Sequence, residues 1–311
     1  MLLVDKSSML LSRRSFLEHA AACCWLFGGA PLSGAGKTAQ AALMTAAAVR
    51  NGEPAQLVAA AIEALGGMSR FVSKGDRVLL KPNIGWDRIP EQGATTNPQL
   101  VASVVRLCLE AGAKSVKVAD RPCNNALRCY RRSGIETAVK KEGAEVRFLN
   151  DASLVMTPFP QGRAVKEWPI YREAYECDVL INLPIAKVHS MSGVTLGMKN
   201  LMGLLGGDRG LFHVDFAEKI VDLCFVLRPT LTIIDGWRVL LRNGPTGGSP
   251  DDTALRRTVI ASTDIVAADA LGAELLGFSP NDVPHIRRAY ERGLGEMNRQ
   301  NIVLKEIDLG Q

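Results

Sequence analysis

Short runs rich in β-branched and apolar residues alternate with longer amphipathic patterns along most of this chain, and that alternation constrains the fold more than any other feature. Strands separated by helical segments imply βαβ units, hence an α/β fold with a mainly parallel sheet and helices on both faces. Strands are expected at Ala46–Val49, Asp76–Leu80, Ser115–Ala119 (ending at Asp120), Glu145–Leu149, Val179–Leu183, Leu231–Ile234 and Thr258–Ala261. Helices are expected over Pro54–Leu65, from the Thr96-Asn97-Pro98 cap to Glu110, and over Ile135–Lys141, Asp215–Leu227, Ile265–Leu276 and Val283–Arg292. Residues 150–175, Pro-rich with isolated aromatics, read as a hairpin or irregular inserted lobe. Gly193–Gly210 and Asn243–Gly248 are too rich in glycine or turn residues for a continuous core helix, which makes them loops available to a site.

In an open parallel sheet, ligands bind beyond the carboxyl ends of the strands, so the residues there are where chemistry is sought first. Here they are polar: Lys81 and Asn83 after one strand, Asp120 after the next, Asn182, Lys187 and His189 after a third, and Asp235 after a fourth. Thr195, Lys199, Asn200 and Gly203 follow, in a stretch whose glycines let backbone amides approach a ligand. His189 is the expected acid or base, read as lying in a polar loop, with Asp120 or Asp235 to hold its tautomer. Lys81, Lys187 and Lys199 would supply charge to an anionic ligand, and Asn83, Asn182, Thr195, Asn200 and Gly203 would orient it. Simpler roles stand beside these. Asp120 and Asp235 equally suit loop caps, Thr96 or Asn97 suits a helix cap, His213 is a secondary candidate, and His285 reads as part of a surface helix.

Several of these stretches resemble a known family, catalogued as domain of unknown function 362. They are Lys81-Pro82-Asn83, Asn182-Leu183-Pro184 with Lys187 and His189, Thr195 to Gly203, Asn243-Gly244-Pro245, Asp264 through Val266 to Asp269, and Gly293-Leu294-Gly295. The Lys-x-His followed by Thr-Leu-x-x-Lys-Asn-Leu-x-Gly is the most specific part. The resemblance implies an α/β domain spanning nearly the whole chain after its leader, and little about mechanism. Many relatives carry a ferredoxin-like cysteine cluster that this chain lacks, and where relatives often have Glu-Gly before Asn243 this chain has Leu241-Arg242.

Ahead of that domain, assigned to 42–311, stands a leader assigned to 1–41. Ser12-Arg13-Arg14-Ser15-Phe16-Leu17-Glu18 resembles a twin-arginine export signal, departing at Glu18. The run from Ala20 to Ala30 is too short to span a bilayer, and Ala39-Gln40-Ala41 fits a small-residue cleavage site. The expected location is therefore periplasmic or otherwise extracytoplasmic, with the twin-arginine translocase as the export partner. Gly34-Ala35-Gly36-Lys37-Thr38 imitates the end of a P-loop, but Pro31 stands where the first glycine belongs. Cys23 lacks the apolar run of a lipoprotein acceptor.

Removing residues 1–41 takes four cations (Lys6, Arg13, Arg14, Lys37) and two anions (Asp5, Glu18) from totals of 37 and 32, leaving 33 against 30 and a net charge of +3. So near a balance argues against nucleic acid as a partner. Of the five cysteines that remain, Cys108, Cys177 and Cys224 read as buried thiols, and Cys123 with Cys129 are candidates for a disulfide in an oxidising compartment. No C-x-x-C occurs. Two functions are compatible with these features: an exported enzyme that binds an anionic small molecule or cofactor, or a non-catalytic redox accessory that docks an iron–sulfur or other redox partner protein. The residues identify no particular cofactor.

Overall fold

A computed structural model describes residues 45–310 of the 311-residue chain. The leader, with its arginine pair, cleavage motif, P-loop imitation and Cys23, lies outside the described residues.

In chain order the elements are β1 (Ala46–Arg50), α1 (Pro54–Ala64), β2 (Arg77–Pro82), α2 (Pro98–Glu110), β3 (Ser115–Asp120), α3 (Ala126–Arg132), α4 (Ile135–Lys141), β4 (Glu145–Phe148), β5 (Leu154–Pro158), β6 (Glu167–Tyr171) and α5 (Glu173–Glu176). There follow β7 (Val179–Leu183), β8 (Ile185–His189), β9 (Gly193–Thr195), α6 (Gly197–Asn200), α7 (Phe216–Val226), β10 (Leu231–Leu240), β11 (Thr253–Ser262), α8 (Ile265–Leu275), α9 (Pro284–Glu291) and β12 (Leu304–Asp308). One sheet runs in the order β12-β1-β11-β10-β7-β2-β3-β4, with the β8–β9 hairpin attached through β10. Within that order β11 alone opposes its neighbours, so the sheet is mainly parallel, as the alternation predicts. The expected lobe at 150–175 is the separate hairpin β5–β6.

Helices cover both faces, and strand alternation divides the core between them. Val78 and Leu80 of β2, Val179 and Ile181 of β7, and Leu231 and Ile233 of β10 pack against α1 to α4. The residues between them, Leu79, Leu180 and Ile234, pack with α7, α8 and α9. Helix α2 starts where Pro98 presets the first turn and Asn97 Oδ1 accepts from Gln99 N at 2.9 Å, and its stripe of Leu100, Val101, Val104, Val105 and Cys108 is fully buried.

The connections leave β2 in two directions: β3 and β4 build out to one edge, while β7 and β10 lie on the other side. The boundary between β2 and β7 is thus the switch point of the sheet, where ligand crevices form in open α/β folds. Lys81 and Asn182 are paired neighbours there. The sequence pattern ends a strand at Leu183 and predicts loop from Pro184 onward. The chain instead breaks only at Pro184 and resumes as β8 alongside the far half of β10, which runs on to Leu240 rather than stopping at Ile234. His189 therefore ends a strand and is buried, not in a polar loop. All five cysteines among the described residues are free thiols, Cys123 exposed and Cys129 buried, so the candidate disulfide between those two is not formed in the structure. No helix among the described residues is long and apolar enough to cross a membrane.

Candidate functional site

The polar residues at the switch point fall into two groups. In the first, the Lys81 ammonium lies 2.8 Å from Asp120 Oδ1 and donates to Asn200 Oδ1 at 2.9 Å and to Pro82 O at 2.8 Å. Three acceptors match three N–H groups. Burial pulls the Lys81 pKa down, against the opposing attraction of Asp120. Asp120 Oδ2 also accepts from Ile84 N at 2.6 Å. The side chain of Asn200 uses its whole capacity: its amide nitrogen donates to Lys81 O (3.0 Å) and Asn182 Oδ1 (2.9 Å), while its oxygen accepts from Lys81 and from Asn83 Nδ2 (3.1 Å). Asn182 in turn donates to Gly197 O at 2.9 Å. These bonds tie the short helix α6 to the strand ends. A Cβ at Gly203 would collide with Asp120 Oδ1 and come within 2.6 Å of Lys81 Nζ, so glycine is required for the close approach.

The second group lies under the β8–β9 hairpin. Lys187, 1% exposed, donates to Ala94 O at 2.7 Å and to Asn83 Oδ1 at 3.3 Å, and has no carboxylate partner among the described residues. Burial, with repulsion from Lys199 and Lys81, lowers its pKa to about 7. Thr195 is its cross-strand partner in β9, so the two side chains leave the hairpin on one face, and the buried Thr195 hydroxyl has no hydrogen-bond partner among the described residues. Lys199 Nζ lies 3.2 Å from His213 Nε2, 3.9 Å from Met202 Sδ and 4.5 Å from the centroid of the Phe216 ring, again with no carboxylate partner among the described residues. Burial lowers it to about 8. Since His213 Nδ1 faces Arg209 O at 3.2 Å it carries the proton, which leaves Nε2 to accept from Lys199.

His189 accepts from Met191 N at 3.1 Å through Nδ1, which places its ring proton on Nε2. Burial, then the charges of Lys199 and Lys187, push its pKa to about 3. The ring is therefore neutral at ordinary pH, its pKa far below the ordinary histidine value near 6.5 that would suit an acid or base at neutral pH. Neither expected carboxylate holds it. Asp120 belongs to Lys81, and Asp235 accepts from Asn97 N at 2.7 Å and Trp237 N at 3.0 Å, fixing the start of α2 and the irregularity in β10; burial raises its pKa to about 6.

Two groups are placed differently from the sequence expectation: His285, read as part of a surface helix, is buried, and Asp269, given no role there, is a buried cap. His285 is buried in α9 edge-on to Phe216, its ring nitrogens without partners among the described residues, and desolvation lowers it to about 3. Its place one turn before the buried Ala289 was the available signal. Asp269, set inside the apolar helix α8, accepts from Gly197 N and from Met198 N (2.9 Å) and so caps α6; burial raises its pKa to about 7. At the rim, Arg209 donates to Arg121 O (2.7 Å) and Pro122 O (3.0 Å) beside the exposed Cys123 thiol. No group of three or more His, Cys, Asp or Glu among the described residues is placed to hold a metal ion.

A profile of the family described as Domain of unknown function (DUF362) matches residues 78–274, a span that contains every candidate site residue. The chain is 31% identical over 247 residues to a thylakoid-associated protein of Synechocystis sp., covering 75% of this chain and 73% of that protein. Among solved structures it is similar to the lactate racemase apoprotein of Thermoanaerobacterium thermosaccharolyticum (TM-score 0.49, 13% identity) over 75% of this chain and 57% of that one. It is also similar to a Thermotoga maritima protein (TM-score 0.43, 14% identity) over 73% of this chain and 60% of that one.

Proposed function

The chain belongs to the DUF362 family, and from that premise we propose that it is an exported enzyme that binds an anionic small molecule or cofactor between Lys187 and Lys199. One observation carries the binding site: two buried lysines at the switch point of the sheet have no carboxylate partner among the described residues, while the third, Lys81, has one. A buried charge without a partner is costly, and an anion seated between the two amines removes that cost. Asn83 and Thr195 flank Lys187 and orient the ligand. Burial, then the charges of Lys199 and Lys187, depress His189, so an anion beside the lysines would offset the smaller, electrostatic part of that depression and make the imidazole a stronger base. Asp120, Asn182, Asn200 and Gly203 act in this reading as the frame that positions the lysines.

Thermal unfolding in chloride and in phosphate at matched ionic strength tests the site. A ligand at a hundredfold excess over its Kd adds about 2.7 kcal/mol, which for a domain of this size raises Tm by several degrees. The shift is expected in the wild type and should shrink in Lys199→Met; equal shifts in both proteins contradict the proposal. Export rests on the leader, whose two guanidinium groups are the recognised feature. Replacing both, Arg13→Lys with Arg14→Lys, should leave the folded protein inside the cell, and continued export of that variant would remove this part.

A further inference from the structure

The three lysines differ in how many acceptors surround each amine. Lys81 has three, one a carboxylate, which suits an ammonium group. Lys199 points its charge at a ring face and a histidine nitrogen. Lys187 has two neutral acceptors, Ala94 O and Asn83 Oδ1, which match the two N–H groups of an uncharged amine and leave its lone pair without a proton. On the same face of the hairpin sits the Thr195 hydroxyl, buried and without a partner among the described residues.

We infer that Lys187 is an amine nucleophile that forms an imine with the carbonyl carbon of an anionic aldehyde or 2-oxo acid, while Lys199 holds the substrate's carboxylate. This deepens the anion-binding reading and rests on it. In the addition, the nitrogen lone pair forms the new C–N bond, and the C=O π pair moves to oxygen. The protons released from nitrogen go to that oxygen, and the carbinolamine loses water to give C=N. Nothing is oxidised or reduced, and water is the other product. Thr195 Oγ is placed to donate to the carbonyl oxygen as it gains charge. The pKa of Lys187, near 7, keeps roughly half of the amine neutral at pH 7, about a thousandfold more than for an ordinary lysine.

The test uses glyoxylate as probe and borohydride to reduce any imine to a carboxymethyl-amine, with digestion and mass spectrometry to find its position. One carboxymethyl group per chain is expected on the peptide carrying Lys187, formed roughly tenfold or more faster than on exposed lysines such as Lys74 and Lys114. It should be suppressed by excess glycolate, which has the carboxylate but no carbonyl. Labelling of Lys187 no faster than of the exposed lysines overturns the inference, and because this readout is made on the wild type it does not depend on any variant folding. If glycolate raises Tm while glyoxylate is not trapped, the imine fails and the anion site stands. If neither happens, both fail.

Discussion

Two neighbouring regions at the same sheet edge handle buried charge in opposite ways. Around Asn200 every donor meets an acceptor, and the one buried cation has its carboxylate. Beneath the β8–β9 hairpin, a few residues away, Lys187 and Lys199 meet neutral acceptors, a ring and a histidine, and the Thr195 hydroxyl meets nothing among the described residues. A saturated network can only hold its parts in place. Groups with spare valence can take up a ligand. Both regions contain lysines and asparagines from the same sequence motifs, so residue type does not distinguish frame from site; the number of partners does.

The sharpest way to break this contrast is to remove one charge from each region. Asp120→Asn leaves the Lys81 ammonium buried without its counter-ion, and unfolding in denaturant should show a loss of about 3–5 kcal/mol. Lys187→Met removes a group with no ionic partner among the described residues and takes one donor from Ala94 O and Asn83 Oδ1, so at pH 7 its change should stay within about 1–2 kcal/mol. Similar losses in the two variants would erase the distinction.

A smaller effect, spread over pH, sharpens it. The Lys187 pKa is near 7 in the folded protein and at its ordinary value near 10.4 when unfolded, so between those limits the unfolded chain binds more protons and stability rises with pH. Relative to Lys187→Met, the wild type should gain on the order of 1 kcal/mol per pH unit from about pH 7 to 10 and show no gain below pH 7. Asp235 and Asp269, whose pKa values burial raises to about 6 and about 7, act in the opposite sense below pH 7. They are common to both proteins and cancel in the difference. Parallel curves across the alkaline range would place the Lys187 amine in water.

Most of the sheet was legible because its strands are apolar runs separated by caps and glycine turns: Val179–Leu183 and Ile135–Lys141 have the bounds read from sequence. Strand β8 was not, since Pro184 punctuates it and its inward side chains include Lys187 and His189, which in a sequence look like loop. Strand β12, with Lys305 and Glu306, lacks an apolar signal and exists because β1 offers it an edge. The site residues were found as a set because they follow strand ends, yet their pairing was beyond sequence. Nothing in the order of residues says that Asp120 takes Lys81 and leaves Lys187 alone, or that Asp235 faces the start of α2 and not His189.

The protonation state of one amine decides whether the hairpin region is a site at all, and that state is observable. A titration of the Lys187 side chain by 13C NMR at Cε, assigned by the signal lost in Lys187→Met, should give a midpoint near pH 7 in chloride and a midpoint displaced upward, towards the ordinary lysine value, in phosphate. A midpoint near 10 in both buffers would mean that Lys187 is an ordinary solvated lysine and that no anion site is built around it.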